Sequence, residues 1–196
     1  MAVTFKGSEG LAGAAAFGSP LQIAVGQNLT TGTKVFTSRN AYEEVPGNLR
    51  ATLTASDPNN YIMIRAHIAW GGWGSATDVA AGFRIYKSTN SGSTWQRFGP
   101  HYPEVEGGSS IQHGVATGTY KYSQGDTNSS FDSDDILIID RAGSTSSTIY
   151  GVFWCCLYEA NSRTLYWNRS INTGNAYNPV HTCTIAAYEL RGPKWQ

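Results

Sequence analysis

Residues 134–192 read DDILIIDRAGSTSSTIYGVFWCCLYEANSRTLYWNRSINTGNAYNPVHTCTIAAYELRG. An apolar run, Ile136 to Ile139, ends at Asp140 and gives way to the small polar turn Ala142 to Thr148. The aromatic run Ile149 to Tyr158 follows, then a second turn, Glu159 to Arg163, and a third run, Thr164 to Ser170. After a polar loop, Thr182 to Leu190 closes the series. Runs this short, rich in β-branched and aromatic residues and fenced by Gly, Asn, Ser and Asp, are antiparallel strands; none carries a helical period.

Upstream the same grammar continues. Tyr61 to Trp70 alternates strictly: Ile62, Ile64, Ala66, Ile68 and Trp70 share one face, and Tyr61, Met63, Arg65, His67 and Ala69 the other. Shorter strands are expected at Leu21 to Val25, Lys34 to Thr37 and Asn48 to Thr54, then at Val79 to Lys87, Thr94 to Phe98 and Val115 to Tyr122. Roughly ten strands at this spacing make the chain all-β, a single antiparallel β-sandwich of jelly-roll-like type. No internal repeat or second composition block appears. The expected organisation is an N-terminal arm, 1–20, and a β-sandwich domain, 21–196. The expected core is Ile62, Ile64, Ile68, Ile136, Ile138, Phe153 and Ile185. The Ile149 to Tyr158 strand is apolar on both faces, which calls for cover on both, by a neighbouring subunit.

Composition agrees. The 196 residues include 22 glycines and only 14% charged residues, and 14 basic side chains balance 14 acidic ones. Without clustered Lys or Arg, neither nucleic acid nor an anionic membrane is expected as a partner. The N-terminus has no cationic, apolar export signal, and Leu11 to Phe17 is far too short to span a membrane. That small-residue stretch reads as an arm or edge strand, or as a segment that docks on a neighbour. The three cysteines, Cys155, Cys156 and Cys183, read as reduced, packed thiols, with no zinc-ligand spacing.

The C-terminal order of pieces, Asp then a Ser/Thr turn, an I-Y strand, T-L-Y-x-N-R-S and T-x-T-I-x-A-x-E-L, resembles that of small structural proteins of marine bacteriophages, the tail-fibre and virion structural family. Upstream positions match more loosely: Tyr42, Val45, Pro46, Gly47 and Leu49, then Ala51 to Leu53, Asp57-Pro58, and Phe83 to Tyr86. The resemblance covers roughly residues 21–192 and contains no catalytic signature. It implies a virion structural protein, assembled in the host cytoplasm, that displays a β domain for host-surface attachment. It also implies other virion proteins as partners and, with the neutral charge and the doubly apolar strand, a homo-oligomer, most naturally a homotrimer. The alternative within the virion is a capsid decoration (cement) protein; the remote alternative is a glycan-active enzyme.

Candidate recognition residues are His101, Tyr102 and His113, in the long polar stretch Gly99 to Gly114, with Tyr122 and Asp132 further on; a host surface glycan is the ligand they suit. The bland reading of that stretch is a solvated loop. No catalytic or metal-binding residue and no cofactor is expected. Asp126, Asp132, Asp134 and Asp135 offer the hard oxygen ligands Ca²⁺ takes, but without the glycine turn of an EF-hand loop they read as a solvated turn. Ser88 to Trp95 (STNSGSTW) matches the sialidase Asp-box with Asn90 in place of Asp; in a chain without repeats it reads as hairpin chemistry. Glu189 and Arg191 read as a surface or cross-strand pair. Asn168-Arg169-Ser170 is a glycosylation sequon only in a secreted eukaryotic protein.

Overall fold

The computed structural model describes residues 3–6, 20–38, 42–74, 78–99, 117–122, 132–156, 163–169 and 181–192. These form two antiparallel sheets packed face to face, with no helix among them. The seven-stranded sheet contains β1 (Val3–Lys6), β2 (Gln22–Asn28), β3 (Gly32–Phe36), β6 (Tyr61–Gly74), β10 (Asp132–Arg141), β12 (Arg163–Trp167) and β13 (Cys183–Leu190). The six-stranded sheet contains β4 (Glu43–Glu44), β5 (Arg50–Thr54), β7 (Asp78–Ser88), β8 (Gln96–Arg97), β9 (Thr117–Tyr122) and β11 (Ser147–Cys156). The all-β, antiparallel sandwich expected from the alternation is the architecture found.

The strand with the cleanest alternation is the spine of the larger sheet. β13 pairs with the first half of β6, from Leu190↔Tyr61 to Thr184↔His67, and β12 with its second half, from Trp167↔Trp70 to Arg163↔Gly74. β10 runs along the other side, Asp132↔Trp70 to Arg141↔Tyr61. In the smaller sheet β11 has the same role. It pairs with β7 on one side and with β5 and β4 end to end on the other. Val3–Lys6, within the segment read as an arm, pairs with β2 at the sheet edge; Leu11 to Phe17 lies outside the described residues.

Between the sheets, Ile62, Ile64, Ile68, Trp70, Ile136, Leu165, Trp167 and Ile185 meet Leu49, Leu53, Phe83, Ile85, Tyr150, Val152 and Trp154, all buried. Aromatic pairs bridge the layers: Trp154 to Trp167 with centroids 5.8 Å apart, Phe36 to Trp154 at 5.5 Å, and Trp70 to Phe83 at 6.3 Å. Burying each such side chain is worth about 2–3 kcal/mol of hydrophobic stabilisation. Five of the seven expected core residues, Ile62, Ile64, Ile68, Ile136 and Ile185, lie in this interior. Ile138 is only partly buried against it. Phe153 is buried, but on the other face of β11, because its neighbours Val152 and Trp154 point into the sandwich and strand residues alternate.

The sandwich is pinched shut at one corner. There β2 of the larger sheet passes so close to β5 of the smaller one that a Cβ on Gly26 would stand 1.9 Å from the Arg50 carbonyl oxygen. Only glycine allows that approach.

Candidate functional site

The outer face of the smaller sheet carries the densest arrangement of aromatic and charged groups among the described residues. It begins with the turn that leaves β7. Ser88 Oγ donates to Asn90 Oδ1 at 2.8 Å and accepts from Gly92 N at 2.9 Å. Asn90 Oδ1 accepts from Thr94 N at 2.9 Å, while Asn90 Nδ2 donates to Thr94 Oγ1 at 2.8 Å. Ser91 and Gly92 take φ of 59° and 87°, the left-handed conformations such a turn demands. The Asp-box-like motif is therefore a self-satisfied hairpin, as its residues suggested, with Asn90 doing the hydrogen-bonding of the usual Asp.

The turn's product is the placement of Trp95. Its ring meets Phe153 edge-on with centroids 5.1 Å apart, and a Cβ at Gly151 would come within 3.0 Å of it. Arg50 lies over the indole, its guanidinium carbon 5.1 Å from the centroid, and grips Glu44 with two hydrogen bonds of 2.5 and 2.7 Å. Tyr86 packs on the Phe153 ring at 4.4 Å. Further along the same face Arg84 is buried with its guanidinium 4.1 Å from the centroid of the Tyr42 ring, and the Tyr42 hydroxyl lies against the Cys155 thiol.

This layer answers the question posed by β11. Its outward residues, Phe153 and Cys155, are covered by Trp95, Tyr86, Tyr42 and Arg84 of the same chain. The expectation that a subunit neighbour covers them is corrected: the aromatic strand is closed intramolecularly, so it gives no reason for a trimer. As a binding surface the layer is a capped stack. Arg50 occupies a face of Trp95, and Glu44 holds Arg50 in place.

Two buried polar nodes sit at the ends of β12 and β13. Asn168, just past β12, is fully buried with φ of 57°, a conformation asparagine tolerates better than most residues. Its Nδ2 donates to the carbonyls of Asn28 at 2.8 Å and Thr30 at 3.0 Å, and its Oδ1 accepts from Cys183 Sγ at 2.6 Å. Its backbone joins Ala69 and His181. At the other node, fully buried Glu189 accepts from Gln22 Nε2 at 2.5 Å, from Ser56 N and Oγ at 2.7 Å each, and from Asn60 Nδ2 at 2.6 Å. Burial works to raise its pKa, but the hydrogen bonds from Asn60, Ser56 and Gln22 outweigh it and hold the carboxyl below its ordinary value. The reading of Glu189 as half of a surface pair with Arg191 is thus corrected: Glu189 is interior, and Arg191 is exposed.

The acidic stretch is corrected too. Asp132 to Asp135 are strand residues of β10, not a turn, so Asp134 and Asp135 point to opposite faces. Buried Asp134 accepts from Trp70 Nε1 at 2.9 Å, and Asp135 meets exposed His67 at 3.1 Å. Among the described residues no group of three or more His, Cys, Asp or Glu converges as a metal site would.

Of the candidate recognition residues, His101, Tyr102 and His113 lie outside the described residues. Register brings the other two to one end of the sandwich. Tyr122 ends β9 opposite Asp78, and Asp132 opens β10 opposite Trp70, with only residues 71–77 between those partners in the chain. β11 ends nearby, Cys156↔Ala81, and β12 opens there, Arg163↔Gly74. Sequence reading passed over Glu44, Arg50, Trp95, Asn168 and Glu189 as working residues. For the last two a signal existed, since both stand in the C-terminal stretch on which the sequence resemblance rests.

All three cysteines are free and buried. Burial pushes both Cys155 and Cys183 up to about 12, and at Cys183 the hydrogen bond from Ala69 N offsets only part of that rise. Thiolate is the reactive form. Ellman's reagent at pH 8 is therefore expected to leave all three thiols unmodified in the native protein and to titrate three on adding denaturant; rapid native labelling of any of them contradicts this packing.

No protein-family model matches this chain, and no curated protein matches it. Among solved structures it is similar to a chain described as "Structure of infectious bursal disease virus Gx strain", at 12% sequence identity and a TM-score of 0.33. The likeness covers 87% of this chain but 37% of that one, so this chain spans little more than a third of its length.

Proposed function

We propose that this chain is a non-enzymatic bacteriophage virion structural protein, a tail-fibre or tail-associated component that presents its β-sandwich to the host surface. What supports the reading is the role of the two polar positions in the C-terminal pattern that resembles phage structural proteins. Asn168 and Glu189 are both fully buried, and each ties several strands and loops together. A pattern whose polar members are spent on the interior is a signature of a fold, and a protein carrying it serves as a scaffold for its loops. The gathering of the end of β9 at Tyr122, the start of β10 at Asp132 and the neighbouring ends of β11 and β12 at one end of the sandwich supports display of recognition groups at a distal tip, where a surface glycan is the ligand of fitting chemistry. Quantitative mass spectrometry of purified virions tests it. A copy number set by tail symmetry is expected; one matching the capsomers transfers the protein to capsid decoration, and absence from the particle overturns both.

A further inference from the structure

The outer edge of the larger sheet is a feature that reading leaves unused. β10 pairs with β6 along its whole length and, among the described residues, with no other strand. Its even-numbered residues face the interior, and its odd-numbered residues face solvent. On the solvent face Leu137 is 66% and Ile139 50% exposed, flanked by Asp135 and Arg141, both exposed.

The direction of its backbone groups follows from one hydrogen bond. Ala142 N donates to Asn60 O, its partner in the continuing β6 register, at 2.8 Å. In an antiparallel ladder the bonded pairs recur every second residue, so the even-numbered residues of β10 direct their N–H and C=O groups at β6. Those of Asp135, Leu137 and Ile139 point away from the sheet, toward whatever lies beside it, while Arg141 N donates to Asp140 Oδ1 at 2.8 Å. A ten-residue edge with apolar side chains and outward backbone groups is a pairing template.

We propose that two copies of this chain pair β10 against β10, antiparallel, about a twofold axis at Ile138, joining their larger sheets into one. The residues choose the partner. Centred on Ile138, Leu137 of each copy lies opposite Ile139 of the other, and Asp135 opposite Arg141, at both ends of the contact. The two Leu137–Ile139 pairs consist of residues with outward backbone groups, so each exchanges both ladder hydrogen bonds, and the Asp135–Arg141 pairs flank them with opposite side-chain charges. Shifting the register by one step of two residues sets Asp135 against Ile139 or Leu137 against Arg141, burying a charge against an apolar group. Only the register centred on Ile138 matches charge with charge and apolar with apolar, and it matches them by symmetry, as a contact between identical chains requires. Were the two charges there to repel edge pairing, they would share one sign. Asp135 also meets His67 of its own chain through Oδ1, which leaves Oδ2 for Arg141 of the second copy.

Light scattering on the purified full chain tests this independently of any role in a virion. Wild type at tens of micromolar is expected at twice the 21.2 kDa chain mass. Arg141→Asp sets carboxylates against each other at both ends and should weaken association roughly 100-fold, giving single chains. The double variant Asp135→Arg/Arg141→Asp restores opposite charges and should restore the dimer. A thermal melt of Arg141→Asp confirms that it is folded. A one-chain or three-chain mass for wild type, a dimer that survives Arg141→Asp, or a double variant that stays monomeric each overturns the proposal.

Discussion

Glu189→Ala is expected to cost about 3–5 kcal/mol of folding stability, a third or more of what a domain of this size typically possesses. The carboxylate accepts from Asn60 Nδ2, which also reaches Ser56 Oγ, and it satisfies Ser56 N and a Gln22 amide donor. Truncation leaves these donors dry, and an unmet buried donor costs about 1–3 kcal/mol. The loss propagates, because Asn60 Oδ1 in turn accepts from Gly192 N and Gln22 reaches Thr54 O. Four segments loosen together: β2, the end of β5, the turn before β6, and the C-terminal end of β13. Glu189→Gln keeps the shape, and the amide that replaces one oxygen is itself a donor facing donors, so a smaller loss of about 2 kcal/mol is expected. Chemical denaturation monitored by tryptophan fluorescence measures both; a Glu189→Ala variant within about 1 kcal/mol of wild type would refute the node.

The same carboxyl gives stability a pH dependence of defined sign. Its folded pKa lies below the ordinary glutamate value of about 4.3. The unfolded chain therefore binds the proton first as pH falls. The stabilisation is complete above about pH 5 and is lost as pH falls past the unfolded value and through the folded one. Wild type should lose stability below about pH 5 with a slope that Glu189→Gln lacks.

Gly26→Ala is expected to destabilise by about 3 kcal/mol or more. A methyl group there would stand 1.9 Å from a backbone oxygen, 2.8 Å from its carbon and 3.1 Å from Ile185 Cγ2, and none of these is the flexible end of a long side chain. Accommodation requires β2 and β5 to part, which opens the corner where the two sheets meet. Gly143→Ala is the control: φ is +68° with nothing within 4 Å, so only the conformational cost of about 1 kcal/mol applies. Equal melting temperatures for the two variants would contradict the close approach at the corner.

Much of this architecture was legible because strands impose a period of two. Tyr61 to Trp70 shows its buried face in sequence order, and the runs after Asp134 show their ends through turn residues. What stayed hidden is what depends on distant partners. β11 is apolar on both faces, and periodicity cannot say what covers the second one. The cover comes from Trp95, Tyr86, Tyr42 and Arg84, brought there by β7 and by segments flanking it and β4. The aspartates at 132, 134 and 135 looked like a polar turn because three acids in four residues rarely sit in a strand; pairing along β6 and the Trp70 indole make Asp134 a buried acceptor.

The residues by themselves determined the class of the fold, the succession of strands and most of the interior, since alternation and turn chemistry are local properties that each segment carries alone. Tertiary structure decided which polar residues became interior nodes and which side chains cover the second face of the aromatic strand. A carboxylate at position 189 is expensive to bury until Gln22, Ser56 and Asn60, up to 167 positions away, surround it with donors. That cost is set by the partners' geometry and not by the residue, so only the assembled sheets reveal it.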